Sequence, residues 1–188
     1  MNHREFFEHL GETWGTEEDS FKLGKVLRHI NAHRWERVLD AGTGTGILLP
    51  VLDADEIVAL DFSSSMLKKA VENSRDCAHF VQGSTQHLPF AGCYFDCVIC
   101  FRSFPHFLDK KKALSEIYRV LMKNGRLYIA HTTSREVLNS IHRGIGKVVA
   151  GDLIPDSSQM KRMLANSGFC EISIINEENL YLASAVRE

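Results

Sequence analysis

The chain has 188 residues, a length typical of a single domain, and a mass of 21.2 kDa. Hydrophobic residues make up 44% and charged residues 24%, which argues against a disordered or fibrous protein. The 22 basic residues nearly balance the 24 acidic ones, for a net charge of -2. This balance argues against a nucleic-acid partner bound mainly through its phosphates.

The sequence also indicates the cellular compartment of the protein. No stretch approaches the ~18–20 consecutive apolar residues of a membrane helix, and the first eight residues are polar and acidic, unlike a signal peptide. Five cysteines, an odd number, include two in the apolar run of residues 97–100, which is typical of reduced thiols. We therefore expect a cytoplasmic protein with no membrane insertion.

Strands and helices alternate along most of the chain. A helix is predicted within residues 17–33, and further helices at 63–70 and 110–122, the last one ending near Asn124-Gly125. Strands are predicted at 37–41, 57–61, 79–82, 95–101 and 126–131. Two helical segments follow, at about 134–149 and 156–167, and then two strands, at 170–175 and 180–186.

This order predicts an α/β fold with a doubly wound, mostly parallel seven-stranded sheet, Rossmann-like and three-layered. The short connection between the last two strands predicts an antiparallel hairpin at the sheet edge. We interpret residues 1–188 as one domain, with a helical lead at 1–35 and a helical cap over an acceptor pocket at 132–160.

A glycine-rich loop directly follows the first predicted strand. Glycines stand at 42, 44 and 46, and Asp40 precedes the first of them by two residues. A dinucleotide-binding G-x-G-x-x-G motif would need glycine at position 47, where this chain has Ile47. A carboxylate at the mouth of the loop suits a cationic or hydroxyl-bearing ligand better than a pyrophosphate.

The second predicted strand ends on Asp61. In a doubly wound sheet this carboxylate projects into the crevice beside the glycine loop, where it can accept hydrogen bonds from a ribose diol. The alternative is a cap for the helix that begins at residue 63. The glycine loop about twenty residues upstream favours the ribose interpretation.

Several ordered motifs together resemble the class I S-adenosylmethionine (SAM) methyltransferases, and the similarity covers nearly the whole chain. They lie at residues 38–46, 61–67, 83–90, 95–100, 114–121 and 124–127. Within that superfamily the chain is similar to small-molecule enzymes of the ubiquinone/menaquinone biosynthesis type. The resemblance implies transfer of a methyl group from SAM to a small-molecule acceptor, with S-adenosylhomocysteine as the second product.

The resemblance also implies roles for single residues. The methionine part of SAM would meet the glycine loop and Asp40, the ribose would meet Asp61, and the sulfonium would lie beside Cys100 and Phe101. Ser84 stands where the family usually has an aspartate that meets the adenine amino group. The implied cofactor-binding set is Asp40, Gly42, Gly44, Gly46, Asp61, Phe62, Met66, Ser84, Thr85 and Cys100. Residues 100–103 lack the Asn/Asp-Pro-Pro-aromatic motif of methyltransferases that act on nucleic-acid amines.

Histidines are concentrated where ligands bind in this architecture. His106 follows the fourth predicted strand, His131 ends the fifth, and His142 comes from the segment after it. Three interpretations remain open. These residues cap and hydrogen-bond the chain, His106 or His131 acts as a general base, or His131 and His142 hold a divalent metal such as zinc, with His106 or Glu136 as a further ligand.

Other assignments remain as alternatives or are set aside. Cys97 and Cys100 are three apart on a strand and point to opposite faces, so they cannot share one metal ion. Phe6, Phe7 and Trp14 either close over SAM or pack on the sheet.

Two alternative functions remain. The protein binds SAM or a metal without catalysis, or it is a nicotinamide-dependent oxidoreductase. The sequence leaves the acceptor, its attacking atom and the oligomeric state open.

Overall fold

A computed structural model describes residues 2–13, 20–74 and 77–188, with the side chains of residues 10–13 outside that description. The helices are α1 (His3–Thr13), α2 (Ser20–Ile30), α3 (Ser64–Ser74), α4 (Lys110–Val120), α5 (Arg135–Ile145) and α6 (Ser157–Asn166). The strands are β1 (Trp35–Ala41), β2 (Ala54–Asp61), β3 (His79–Gln82), β4 (Phe95–Phe101), β5 (Leu121–His131), β6 (Phe169–Glu177) and β7 (Leu180–Arg187). Single 3-10 turns occur at Leu49–Val51 and Phe104–His106.

The seven strands form one sheet in the order β3-β2-β1-β4-β5-β7-β6. The first five strands in this order are parallel, and β7 runs antiparallel to both β5 and β6. The predicted α/β fold and its edge hairpin are therefore confirmed. The strand order reverses between β1 and β4, and ligands bind beyond the carboxyl ends of the strands at such a reversal.

Alternating residues of the central strands pack against helices on opposite faces of the sheet. On β4, Cys97 and Ile99 join the cluster that contains Val26 and Ile30 of α2. Val98 and Cys100 join the cluster on the other face, which includes apolar residues of α4 and α6. This arrangement confirms three layers, and it also confirms that the two cysteines of β4 lie on different faces.

One predicted boundary is wrong. The helix expected to reach residue 122 ends at Val120, and β5 begins at Leu121. Asn124 has φ +63° and, with Gly125, lies within β5 instead of ending the helix. Phe95 pairs with Leu121 but Cys97 pairs with Arg126, so the Asn-Gly pair belongs to a bulge in β5.

The N-terminal lead contains two helices, of which only α2 corresponds to a specific sequence prediction. Among the described residues, none of the helices combines the length and apolar character needed to cross a bilayer.

Candidate active site

A cavity of about 370 Å³ lies beyond the carboxyl ends of the central strands. Ten of the residues predicted from sequence as ligands or catalysts line it: Gly42, Gly44, Asp61, Phe62, Met66, Ser84, Thr85, His106, His131 and His142. Asp40, Gly46 and Cys100 do not. The cavity therefore brings the glycine-loop residues and the histidines into one continuous space.

The glycine loop has a backbone that ordinary side chains would strain. Gly42 has φ +78°, and a Cβ built on it would lie 2.5 Å from the Cβ of Ser103. Gly46 has φ +80°, and its Cβ would lie 2.7 Å from the Ser74 Oγ of α3. Gly42 thus lets the loop approach the segment after β4, whereas Gly46 lets it pack against α3. The second of these roles is packing, which is why Gly46 is absent from the cavity wall.

Asp40 lies beneath the loop with 1% of its surface exposed. Its Oδ2 accepts a hydrogen bond from the Thr43 hydroxyl at 2.7 Å, whereas its buried Oδ1 has no hydrogen-bond partner among the described residues. Burial raises the pKa of Asp40 to about 7, and the nearby charge of Asp61 adds to the increase. The carboxylate therefore retains one acceptor oxygen that a cationic ligand would satisfy.

Asp61 lies at the cavity wall where β2 ends. Its Oδ2 accepts the Gly44 N–H and its Oδ1 accepts the Ser63 N–H, both at 2.9 Å. Burial raises its pKa, although these N–H donors oppose the increase. The hydroxyl of Ser63 accepts the Met66 N–H in the first turn of α3. Asp61 is therefore not needed as the cap of α3.

Cys100 and Phe101 end β4 but face different surroundings. The thiol of Cys100 is fully buried in the core, where burial raises its pKa, while Phe101 lines the cavity. The resemblance implied that both residues lie beside the sulfonium, and of the two only Phe101 lines the cavity, because consecutive strand residues point to opposite faces.

Helix α1 covers the cavity. The Phe7 ring lies 5.7 Å from that of Phe62 and 4.8 Å from that of His106, measured between centroids. The Glu8 carboxylate accepts the N–H groups of Ser64 and Ser65, each at 3.0 Å, at the N-terminus of α3. Helix α1 is thus attached to the element that follows Asp61 and Phe62. Trp14 lies outside the described residues.

Three histidines meet around one aspartate that the sequence analysis missed. The Oδ2 of Asp152 lies 2.7 Å from the His106 Nδ1 and 2.9 Å from the His3 Nε2. The ring of His142 lies 4.9 Å from that of His106, and its Nδ1 bonds to the Asp152 carbonyl. His3 and His106 together hold the pKa of Asp152 below its usual range, against the effect of burial. No motif surrounds His3 or Asp152, so the sequence carries no signal for either.

His131 lies on the same cavity with 2% of its surface exposed, and its Nε2 has no hydrogen-bond partner among the described residues. Burial holds its pKa well below the usual value, and the charges of His106, Arg102 and His142 act in the same direction. His131 is therefore a neutral imidazole with a free nitrogen at the cavity.

Glu136, Asn139 and His142 form a polar stripe along α5, and its role differs from the metal binding considered above. Asn139 exchanges two hydrogen bonds with the backbone of Ile154, at 2.9 and 3.0 Å. Glu136 is exposed and accepts a hydrogen bond from Asn176 at 2.8 Å. Among the described residues, neither His131 nor His142 belongs to a group of three close ligands. Asn139 and His142 therefore fasten the segment around residues 152–154 to α5, whereas Glu136 bonds to β6.

Comparison with known proteins identifies the family. A protein-family model described as a methyltransferase domain matches residues 39–129. The ubiquinone/menaquinone biosynthesis C-methyltransferase UbiE of Proteus mirabilis is 31% identical, over 84% of this chain and 77% of the relative. The chain belongs to the class I SAM-dependent methyltransferases. UbiE of Erwinia tasmaniensis is 32% identical to this methyltransferase, over 80% of this chain and 74% of the relative.

Solved structures agree with the fold of the methyltransferase. One similar chain comes from the complex between the Haloferax volcanii Trm112 methyltransferase activator and a methyltransferase, with a TM-score of 0.79 at 21% identity, covering 98% of this chain and 97% of that one. Another is the Haemonchus contortus phosphoethanolamine N-methyltransferase 2 bound to S-adenosylhomocysteine, with a TM-score of 0.69 at 16% identity, covering 89% and 52%. The family assignment makes SAM the cofactor and excludes the nicotinamide-dependent oxidoreductase.

Proposed function

We propose that this methyltransferase transfers the SAM methyl group to a ring carbon of a small hydroxylated aromatic acceptor. The observation that carries the proposal is the single cavity, which joins the glycine loop and Asp61 to His106 and His131. Relatives named as C-methyltransferases of ubiquinone and menaquinone biosynthesis support carbon as the attacking atom. Phe101, Phe107 and Leu138 give the same space apolar walls suited to a flat ring.

Most of the cofactor residues are assigned because they line the cavity. The Gly42 and Gly44 backbones meet the methionine part of SAM. Asp40 lies beneath the loop and does not line the cavity, and it is assigned to the ammonium group of SAM because its buried Oδ1 has no partner among the described residues. Asp61 binds the ribose hydroxyls. The adenine lies between Phe62 and Met66, with Ser84 and Thr85 at its edge.

His106 and His131 are the proposed catalytic residues. The free Nε2 of His131 accepts a hydrogen bond from the acceptor hydroxyl, which increases electron density on the ring, and His106 fixes the orientation of the same hydroxyl group. The ring carbon then attacks the methyl group. A C–C bond forms, the C–S bond breaks, and its electron pair stays on sulfur to give S-adenosylhomocysteine. The ring carbon finally loses its proton to water. Holding the two reactants in line supplies most of the acceleration.

A labelled-methyl assay tests this proposal. Purified enzyme is incubated with methyl-labelled SAM and, in parallel, with a quinol, an aliphatic amine and a thiol. We expect label on a ring carbon of the quinol, located by fragmentation in mass spectrometry. Asp61→Ala should remove both SAM binding and transfer, and His79→Ala, an exposed β3 residue outside the cavity, should change neither. Label on oxygen, nitrogen or sulfur in place of carbon would overturn the assignment of the acceptor.

A further inference from the structure

We propose that His3, His106 and Asp152 form a divalent-metal site, suited to zinc, at the acceptor end of the cavity. The site shares no residue with the set assigned to SAM, although the His3 ring stacks on that of Phe62, 6.3 Å away between centroids. Its place beside the acceptor rests on the proposed function. It replaces the pairing of His131 with His142 that the sequence suggested.

The three residues converge from distant parts of the chain. His3 comes from α1, His106 from the turn after β4, and Asp152 from the segment between α5 and α6. Their ligand atoms all lie within 4.8 Å of one another. The side chains are 16%, 18% and 15% exposed, so the group is shielded from bulk water but remains accessible.

The donor set matches a known class of zinc site. Two imidazole nitrogens and one carboxylate oxygen are the ligands of several catalytic zinc centres, which leave a fourth position open for water or substrate. His3 and His106 both line the cavity, so the open position would face it. Without metal, Asp152 accepts from both imidazoles through one oxygen. A zinc ion would take the place of those two shared protons, and the three ligand atoms would move apart by a few tenths of an ångström to hold it.

The surroundings of the group hold its ligands in place, as outer-shell contacts do in metal sites. The Nδ1 of His142 bonds to the Asp152 carbonyl, and Asn139 fixes the backbone of Ile154. The Phe7 ring packs on the His106 ring. The backbone that carries the carboxylate is thus held independently of the two histidines.

A second observation points to a polar ligand in the same space. His131 lines this cavity, and its buried Nε2 has no partner among the described residues. The hydroxyl group of a metal-bound acceptor would satisfy it. Zinc would bind that oxygen at its open position and polarise the O–H group, whose proton the His131 Nε2 accepts in a hydrogen bond, with no change in oxidation state.

Metal content tests the proposal directly. Purified untagged enzyme is loaded with zinc, desalted and analysed by inductively coupled plasma mass spectrometry. We expect about one zinc per chain in the wild type and in His29→Ala, which removes an exposed histidine of α2. His3→Ala and Asp152→Asn should retain less than a tenth of that amount. Cobalt(II) should give the wild type a visible absorption band that His3→Ala lacks.

The outcomes separate the metal site from the proposed function. SAM binding is measured by calorimetry on samples of the same proteins prepared without zinc, and it should persist in Asp152→Asn, which also serves as evidence that this variant folds. If the wild type binds SAM but retains no zinc, the metal site alone is overturned, and Asp152 only joins His3 and His106 through hydrogen bonds. Equal zinc retention in His3→Ala, Asp152→Asn and the wild type would also overturn it. If the wild type does not bind SAM at all, the proposed function of the cavity is contradicted instead.

Discussion

Asp40 is expected to make SAM binding depend on pH. Its carboxyl is buried beneath the glycine loop with one free oxygen, and burial raises its pKa to about 7. Because the ammonium group of SAM favours the ionised carboxylate, binding requires Asp40 to lose its proton. The affinity for SAM should therefore rise as the pH rises toward and past 7.

The size of the effect follows from the fraction of Asp40 that is ionised. With a pKa of about 7, about a tenth of the carboxyl groups are ionised at pH 6 and about three quarters at pH 7.5. The α-amino group of the ligand, with a pKa of about 7.7, has itself lost about two fifths of its protons at pH 7.5, so the dissociation constant of SAM should fall about fivefold between these two values. At higher pH the affinity should level off and then decline.

Calorimetric titration of SAM at half-unit steps from pH 6 to 7.5 measures this dependence. Asp40→Asn preserves the acceptor for the Thr43 hydroxyl but cannot ionise. The variant should bind SAM about tenfold more weakly at pH 7.5 because the charged partner is gone, and its affinity should be nearly constant with pH. A flat profile in the wild type, or an unchanged slope in Asp40→Asn, would refute the assignment of Asp40.

The same residue predicts an opposite effect on stability. The folded-state pKa of Asp40 lies above its ordinary value of 3.8, so ionisation opposes folding. Its favourable contribution is fully present below about pH 4 and is lost as the pH rises through about 7. Without SAM, Asp40→Asn should therefore have a higher Tm than the wild type at pH 8, and the two should converge near pH 4. At position 40, SAM binding thus favours aspartate, whereas the stability of the protein without SAM favours asparagine.

Four further substitutions test the cavity and the helix that covers it. Gly42→Ala should lower the Tm and weaken SAM binding more than tenfold, whereas Gly44→Ala, at φ +57° with no atom within 4 Å of its Cβ, should cost the protein without SAM only the left-handed strain of about 1–2 kcal/mol. Ser84→Asp should tighten SAM binding severalfold in calorimetry, because a charged acceptor would meet the adenine amino group. Glu8→Ala removes an acceptor at the N-terminus of α3, worth about 1 kcal/mol, so limited proteolysis should cut α1 sooner.

The half of the cavity proposed for the cofactor was predictable because its residues are close in sequence to the ends of strands. The loop at 42–46 follows β1 directly, and Asp61 is the last residue of β2. Parallel strands bring such ends to one edge of the sheet whatever the rest of the chain does. Knowledge of the strands was therefore enough to place both features in the same crevice.

Predictions that depended on finer local geometry were less successful. The Asn124-Gly125 pair has the composition of a helix end, but pairing with β4 draws it into a bulge of β5. Cys100 and Phe101 were both placed at the ligand because they end β4, but the alternation of the strand directs only Phe101 toward the cavity. A shift of one residue along a strand changes the face of the sheet on which a side chain lies. A motif that spans several residues does not show which of their side chains faces the cavity.

The acceptor half was only partly predictable, because it depends on contacts between residues that are far apart in the chain. His106 and His131 were found because they follow strands, but His3 and Asp152 are separated by 149 residues and meet only when α1 covers the cavity. Each looks like an ordinary polar residue in its own segment, and their significance comes from sharing a partner with His106. Helix α1 therefore both covers the SAM residues, through Phe7 and Glu8, and completes the histidine group, through His3. It follows that removing α1 should impair both halves of the cavity at once, whereas Asp152→Asn should impair only the half proposed for the acceptor.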